Sequence, residues 1–344
     1  MQTHRRYISA LPFTALLPIS ASAHHAFAGV FDMDNLIEIE GQITHVLWQN
    51  PHVRFSVQTE DGEIWDIETN SVSIIRRMDI SPDLLGVGDT LRVAGYPSRR
   101  GETAMWTNNV LLADGRELVL RPGFEPHWGD SALGSSDAWL AEGSAVRGTP
   151  AEAQGIFRVW STHFERNFRG NEGLFTGDYP LTAEARELRD AYDPVADNPI
   201  PGCTPKGMPW IMAQPYPIEI RQVGQNIEYQ TEEYDLVRTF YMGEDATTDG
   251  PPSLLGHSVG RWEGDELVVE TRNIGWRYFD SSGVQHSEEL ELEERFELNE
   301  DGSRLLYTLI ATDPATFTES VVLNKDWVWR PEEVVRPFQC VPGD

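Results

Sequence analysis

Cysteine is scarce, with Cys203 and Cys340 the two thiols in 344 residues. That excludes a disulfide-dense mini-domain, and no C-x-x-C spacing offers the usual thiolate metal site. Positive charge is scarce too, since 27 Lys and Arg stand against 55 Asp and Glu, for a net charge of −28. Such a surface repels phosphate backbones and anionic lipid, so nucleic acid and membrane-surface partners are set aside. The chain has no phosphate-binding glycine loop and no H-E-x-x-H helix, and no strand-to-helix elbow for a serine nucleophile is expected. Nucleotide-dependent, zincin and serine-hydrolase chemistries therefore lose their usual support.

The first residues carry an address. His4, Arg5 and Arg6 precede a mostly apolar run from Tyr7 to Ile19, interrupted by Pro12 and Pro18, and Ala21-Ser22-Ala23 follows. Positive charge, an apolar core too short and broken to span a bilayer, and an A-x-A site form a secretory signal over residues 1–23. Arg5-Arg6 leaves twin-arginine export open beside the general route. Cleavage removes both arginines and no acid, and leaves no membrane-spanning segment. It also places the mature chain in the periplasm or outside the cell. In that oxidising compartment an isolated pair of cysteines is expected to bridge, and a loop this long would stabilise the fold by about 4–5 kcal/mol in the chain-entropy model.

The mature chain reads as mainly β, in two modules. Over residues 24–120, Ile37, Ile39, Ile43 and Leu47 alternate with polar residues, as do Val53, Phe55 and Val57. Glu60-Asp61-Gly62 turns into Ile64 to Thr69, Ser73 to Met78 reads as a helix, and strands follow at Thr90 to Gly95 and Trp106 to Leu112. Three strands, a helix and two strands is the order of an OB-type barrel. Residues 121–154 lose periodicity and gather Gly, Ser, Pro and Ala, which predicts a linker or a long loop over the second module. Residues 155–344 open with Gly155 to Trp160 and a helix from Ala183 to Tyr192 capped by Thr182. Strands then succeed one another from Pro217 to Trp329, separated by tight turns such as Glu263-Gly264-Asp265. Eight or nine strands in a meander close into a lipocalin-like up-and-down β-barrel, able to be filled by side chains or to hold one small ligand.

Several motifs carry a resemblance: the His24-His25 start, Trp48-Gln49-Asn50-Pro51-His52, Pro215 to Ile220, and Gly256 to Trp262 leading to Asp265. Together they resemble an uncharacterised family of secreted bacterial proteins, a domain of unknown function with a His-His start and an Asn-Pro-His strand. The longer members have a lipocalin-like C-terminal half. The resemblance spans most of the mature chain and implies architecture rather than an activity.

Two sets of residues could carry chemistry. Cleavage after Ala23 gives His24 a free α-amine beside its imidazole, and with His25 and His52 these nitrogens suit copper, the candidate metal. The alternative is an exposed histidine pair at a chain end. In the second module Arg238 is in phase with Leu236, Phe240 and Met242, and Glu294 with Leu290, Leu292, Phe296 and Leu298, so both charges should point inward. They pair with each other or meet a polar ligand. His257, His286 and Asp280 fall at strand ends or loops nearby. Trp160, Trp262, Trp327 and Trp329 are either cavity lining or core. Two functions follow: a periplasmic protein binding a small apolar or amphipathic ligand in the barrel, or a cofactor-free lyase, isomerase or hydratase. The second would use His257 or His286 as acid or base, with Arg238 and Glu294 orienting the substrate.

Intact-mass analysis of the exported protein should give His24 as its first residue, whereas a soluble envelope form retaining Met1 would refute the cleavage. That mature form should take up about one copper ion with a nitrogen-ligand spectrum. Equal uptake by a His24→Ala variant would remove the copper reading.

Overall fold

The computed structural model of the chain describes residues 30–135, 155–163, 174–175, 177–193, 196–197, 200 and 203–341. The leader, His24, His25 and residues 136–154 lie outside them.

The first module is a small closed barrel. Strands β1 (Ile37–Leu47), β2 (Arg54–Thr59), β3 (Ile64–Glu68), β4 (Thr90–Pro97) and β5 (Ala104–Leu112) run in the order β3-β2-β1-β4-β5. A parallel pairing of β3 with β5, Ile67 opposite Met105, closes the ring. Helix α1 (Val72–Arg77) lies between β3 and β4, completing the OB-like order. The alternating apolar residues fill it, since Ile43, Phe55, Val57, Ile67, Val93 and Val110 are each at most 1% exposed. Burial of such side chains is worth roughly 1.5–3 kcal/mol each. A ring this narrow bends its strands sharply, and β4 is bulged between Ala94 and Gly95. A Cβ at Gly95 would lie 2.5 Å from the Trp106 carbonyl oxygen, and one at Gly41 of β1 would lie 2.3 Å from that of Gln58.

Ser71 caps α1 by accepting from the Ile74 N–H at 3.2 Å. Val72, Ile74 and Ile75 face the core, and Arg76 and Arg77 stand in the last turn, where the helix dipole favours cations. A short sixth strand, β6 (Glu117–Val119), adds to β5. Of the segment expected as a linker or a long loop, residues 121–135 are described. The Val119 N–H donates to the Leu133 carbonyl at 2.8 Å, so the segment to Ser135 folds back along the first barrel. It covers β6, whose residues are all buried and need a partner on that side.

The second module contains β7 (Val159–Ser161), α2 (Ala183–Asp190), β8 (Ile218–Val223), β9 (Asn226–Thr231), β10 (Val237–Met242), β11 (His257–Glu263), β12 (Glu266–Arg272), β13 (Glu291–Leu298), β14 (Arg304–Thr312) and β15 (Val321–Trp329). Nine of its strands close in the order β10-β11-β12-β13-β14-β15-β7-β8-β9. Two features depart from a plain meander. The last segment forms one long strand, β15, and the ninth position falls to β7 from far upstream. The β10–β11 pair is parallel, with Tyr241 opposite Val259. A parallel pair needs a crossover rather than a tight turn, and the stretch from Gly243 to Gly256, with Pro251 and Pro252, supplies it. No helix among the described residues is long and apolar enough to cross a membrane.

The interior of the second barrel is packed with its own rings. Phe296 and Tyr307 centroids are 5.0 Å apart, Tyr307 and Trp327 5.5 Å, and Phe240 and Phe296 5.9 Å, all in tilted contact. Trp160, Tyr229 and Trp327 are each at most 1% exposed, so these tryptophans are core.

The two barrels share a seam. After β15 the tail crosses onto the first module, where Phe338 and Tyr216 join that module's hydrophobic core. Asn50 anchors it: its side-chain amide donates to the Phe338 carbonyl, and its own carbonyl accepts from the Val341 N–H at 3.1 Å. Cys340 bridges to Cys203 with Cα atoms 5.7 Å apart, the disulfide expected from the sequence. Beside it Arg77 donates to Glu232 at 2.6 and 2.7 Å and to Glu333 at 2.9 Å. The Arg77 side chain is 3% exposed and that of Glu232 is fully buried.

Removing one member of such a cluster strands a buried charge. Arg77→Met is expected to lower unfolding stability by about 3–5 kcal/mol in urea titration, and adding Glu232→Gln to recover part of it. A loss under about 0.5 kcal/mol, the usual effect of a surface change, would place the cluster in contact with water.

Candidate functional site

Arg238 on β10 and Glu294 on β13 meet inside the second barrel, as their strand phase predicts. Arg238 Nη1 donates to Glu294 Oε1 at 2.9 Å, and Nη2 reaches Glu294 Oε2 and Thr271 Oγ1. Nε donates to Ser258 Oγ at 2.9 Å, and Nη1 also faces Met208 Sδ at 3.6 Å. A guanidinium has five N–H donors, and these contacts occupy all of them. Glu294 accepts in addition from the Tyr307 hydroxyl at 2.8 Å. Burial holds the Tyr229 and Tyr307 phenols well above their ordinary pKa, so both stay neutral. The network ties β10, β11, β12, β13 and β14 together and is satisfied by its own members. The Tyr229 hydroxyl is the exception, buried without a partner.

The other residues singled out in the second barrel are held elsewhere. His257 Nε2 lies 2.8 Å from the Pro251 carbonyl, inside the crossover. His286, between β12 and β13, hydrogen-bonds through Nδ1 to the Ser287 carbonyl at 2.9 Å, and burial pushes its pKa below the ordinary 6.5. Asp280 accepts from the Tyr179 hydroxyl and from the Ser282 N–H. Among the described residues neither histidine hydrogen-bonds to Arg238 or Glu294. Gly256-His257-Ser258-Val259-Gly260 also spells the letters G-x-S-x-G, a match the reading above passed over. Ser258 lies within strand β11, 2% exposed, its Oγ engaged by Arg238 and by Thr271 at 3.0 Å. That is no strand-to-helix elbow, and among the described residues no histidine hydrogen-bonds to Ser258, the neighbouring His257 being turned to the Pro251 carbonyl.

In the first module His52 Nδ1 contacts Glu68, and the ring stands edge-on to Trp106 with centroids 5.3 Å apart. Phe31 packs on the same indole at 6.3 Å. No group of three or more His, Cys, Asp or Glu that could hold a metal is found among the described residues.

Among the described residues, open volume is found at the seam. A cleft of about 620 Å³ is bounded by the last turn of α1 with Met78 and Asp79, the folded-back segment Ala132 to Ser135, and the tail from Arg330 to Glu333 with Arg336. A second chamber of about 260 Å³ adjoins it, formed by Trp48, Asn50 and Ser73 on one side and Phe338 on the other, and both chambers are lined by Arg76 and Arg336. Sequence reasoning missed this site. Its visible signals were Trp48-Gln49-Asn50, quoted for resemblance alone, and four arginines placed in one cleft of an acidic chain.

The architecture defines a two-barrel protein, OB-like then nine-stranded, with a cleft at the junction. Residues 14–106 match the model of a family of unknown function, DUF6152, which in the described part takes in β1 to β4 and the start of β5. No curated protein matches the chain.

His286 gives the fold a pH signature. Its folded pKa lies below its unfolded value, so the unfolded chain takes up a proton first as pH falls, and stability drops from about 6.5 down to the folded pKa. His286→Asn should flatten the stability curve across that window in denaturant titrations. An unchanged slope would assign the loss to other groups.

Proposed function

We propose that the protein is exported and binds a small molecule in the cleft between its first barrel and the tail, without catalysing a reaction on it. The observation carrying this reading is the 620 Å³ cleft that the tail beyond β15 forms against the first module. Ligand sites favour volumes of roughly 300–1,000 Å³ and domain interfaces. The interior of the second barrel, where strand pattern alone suggested an apolar ligand, is crowded by contacting rings and by a guanidinium with no donor to spare. A lyase, isomerase or hydratase would need His257 or His286 beside Arg238 and Glu294, and their hydrogen bonds run to Pro251 and Ser287 instead. The Ala21-Ser22-Ala23 site and the disulfide support export.

Copper binding by His24, His25 and His52 is a separate proposal. Its support is the path of the chain at Phe31, which packs on the indole that His52 touches, and the Glu68 contact at Nδ1. A carboxylate on one imidazole nitrogen is the arrangement that orients the other towards a metal.

Native mass spectrometry of the mature protein from periplasmic extract, followed by hydrogen exchange, tests the cleft. A retained small molecule should protect residues 76–79, 132–135 and 330–336. Protection centred on Glu294 instead would return the ligand to the barrel.

A further inference from the structure

The geometry points to a small hydroxylated oxyanion as the ligand, seated in the 260 Å³ chamber with its charged group between Arg76 and Arg336. This inference rests on the reading above that a small molecule binds at the seam, and places it in the smaller of the two chambers that share Arg76 and Arg336.

Charge carries the argument. Acids outnumber bases about two to one in this chain, and most arginines of the described residues touch a carboxylate. Arg92 pairs with Glu38, Arg221 with Glu228, Arg261 with Glu270, and Arg295 with Glu266. Arg76 and Arg336 do not: neither guanidinium has a hydrogen-bond or ion-pair partner among the described residues, although Arg77 next in sequence has two carboxylates. Both unneutralised side chains line the passage common to the two chambers. The larger cleft carries acids of its own in Asp79, Glu332 and Glu333, whereas among the described residues no carboxylate lines the smaller chamber. Among the described residues, Arg76 and Arg336 are its only charges. A guanidinium presents a planar fork of donors that matches carboxylate and phosphate oxygens.

The neutral groups of the chamber refine the ligand. Trp48 Nε1 is a buried N–H with no partner, and Asn50 Oδ1 is a buried acceptor with none, on a residue 4% exposed. Unmet groups of this kind cost free energy unless a guest meets them. The indole N–H adds a donor for an anionic oxygen, and the amide oxygen asks for a hydroxyl hydrogen from the same molecule. An oxyanion with a neighbouring hydroxyl answers both, and a purely apolar guest answers neither. Val72 and Phe338 supply apolar wall for a short carbon skeleton.

Isothermal titration calorimetry on the mature, disulfide-intact protein tests this with L-malate as the carboxylate, glycerol 3-phosphate as the phosphate ester and glycerol as the neutral control. One or both anions should bind with an affinity that falls as salt rises. Arg76→Gln and Arg336→Gln should each weaken binding about tenfold or more, as expected for loss of a charge-assisted contact. Their unfolding midpoints should stay within the scatter of the parent, which separates lost binding from lost fold. Malate without glycerol 3-phosphate, or the reverse, identifies the oxyanion. Equal binding by the double variant would overturn the site. Glycerol binding with seam protection in hydrogen exchange would overturn the anion and leave the cleft reading intact. No binding by any of the three compounds, or protection away from the seam, would overturn both.

Discussion

A buried guanidinium shared between two carboxylates holds the molecule in one arrangement. Arg77 ends helix α1 of the first barrel, Glu232 follows β9 of the second, and Glu333 belongs to the tail beyond β15. Apolar faces pressed together can slide with little change in free energy, but desolvated ions cannot, because each displaced charge is left without water or partner. The position of the tail, the shape of the cleft and the placement of Arg76 and Arg336 all depend on that cluster. The apolar contacts of Tyr216 and Phe338 supply attraction across the seam, and the ions supply its register.

The same pair of residue types has a different task inside the second barrel. Arg238 and Glu294 link strands of one barrel, β10 and β13 with two strands between them, rather than modules, and the hydroxyls of Ser258, Thr271 and Tyr307 complete their hydrogen bonding. A slip of one residue on either strand would turn a charge outward and leave the other buried alone, so the pair fixes strand register where aromatic packing alone would tolerate alternatives. The contrast within one fold is instructive. Where arginine is fully engaged it sets geometry, and where two arginines are left unengaged, at the seam, there is room for another molecule.

Strand alternation made both barrels legible before any coordinates, and the inward phase of Arg238 and Glu294 was readable because a period of two assigns every residue a face. The Thr182 cap likewise marked the start of α2. What escaped was non-periodic or distant. Only three residues of β7 are strand, too few for a pattern, and the parallel β10–β11 pair leaves no local mark. The seam contacts of Arg77 join residues 155 and 256 positions apart, beyond any local rule. Arg76 and Arg77 stand in the last turn of α1, where basic residues are ordinary, so nothing local sets them apart. In Trp48-Gln49-Asn50-Pro51-His52 the histidine drew attention as a metal ligand, while Asn50, which grips the tail, carries the contact that shapes the cleft.

The Cys203–Cys340 bridge makes the larger barrel a covalent ring. Strands β8 to β15 all lie between the two sulfurs, across 137 positions, and only β7 enters the barrel from outside that loop. A protease that cuts once in an exposed turn of the ring therefore opens it without releasing a fragment. For a protein expected to work among secreted proteases, this confers tolerance to nicking: the damaged molecule keeps its strands tethered, and the tail that walls the cleft stays fastened at Cys340.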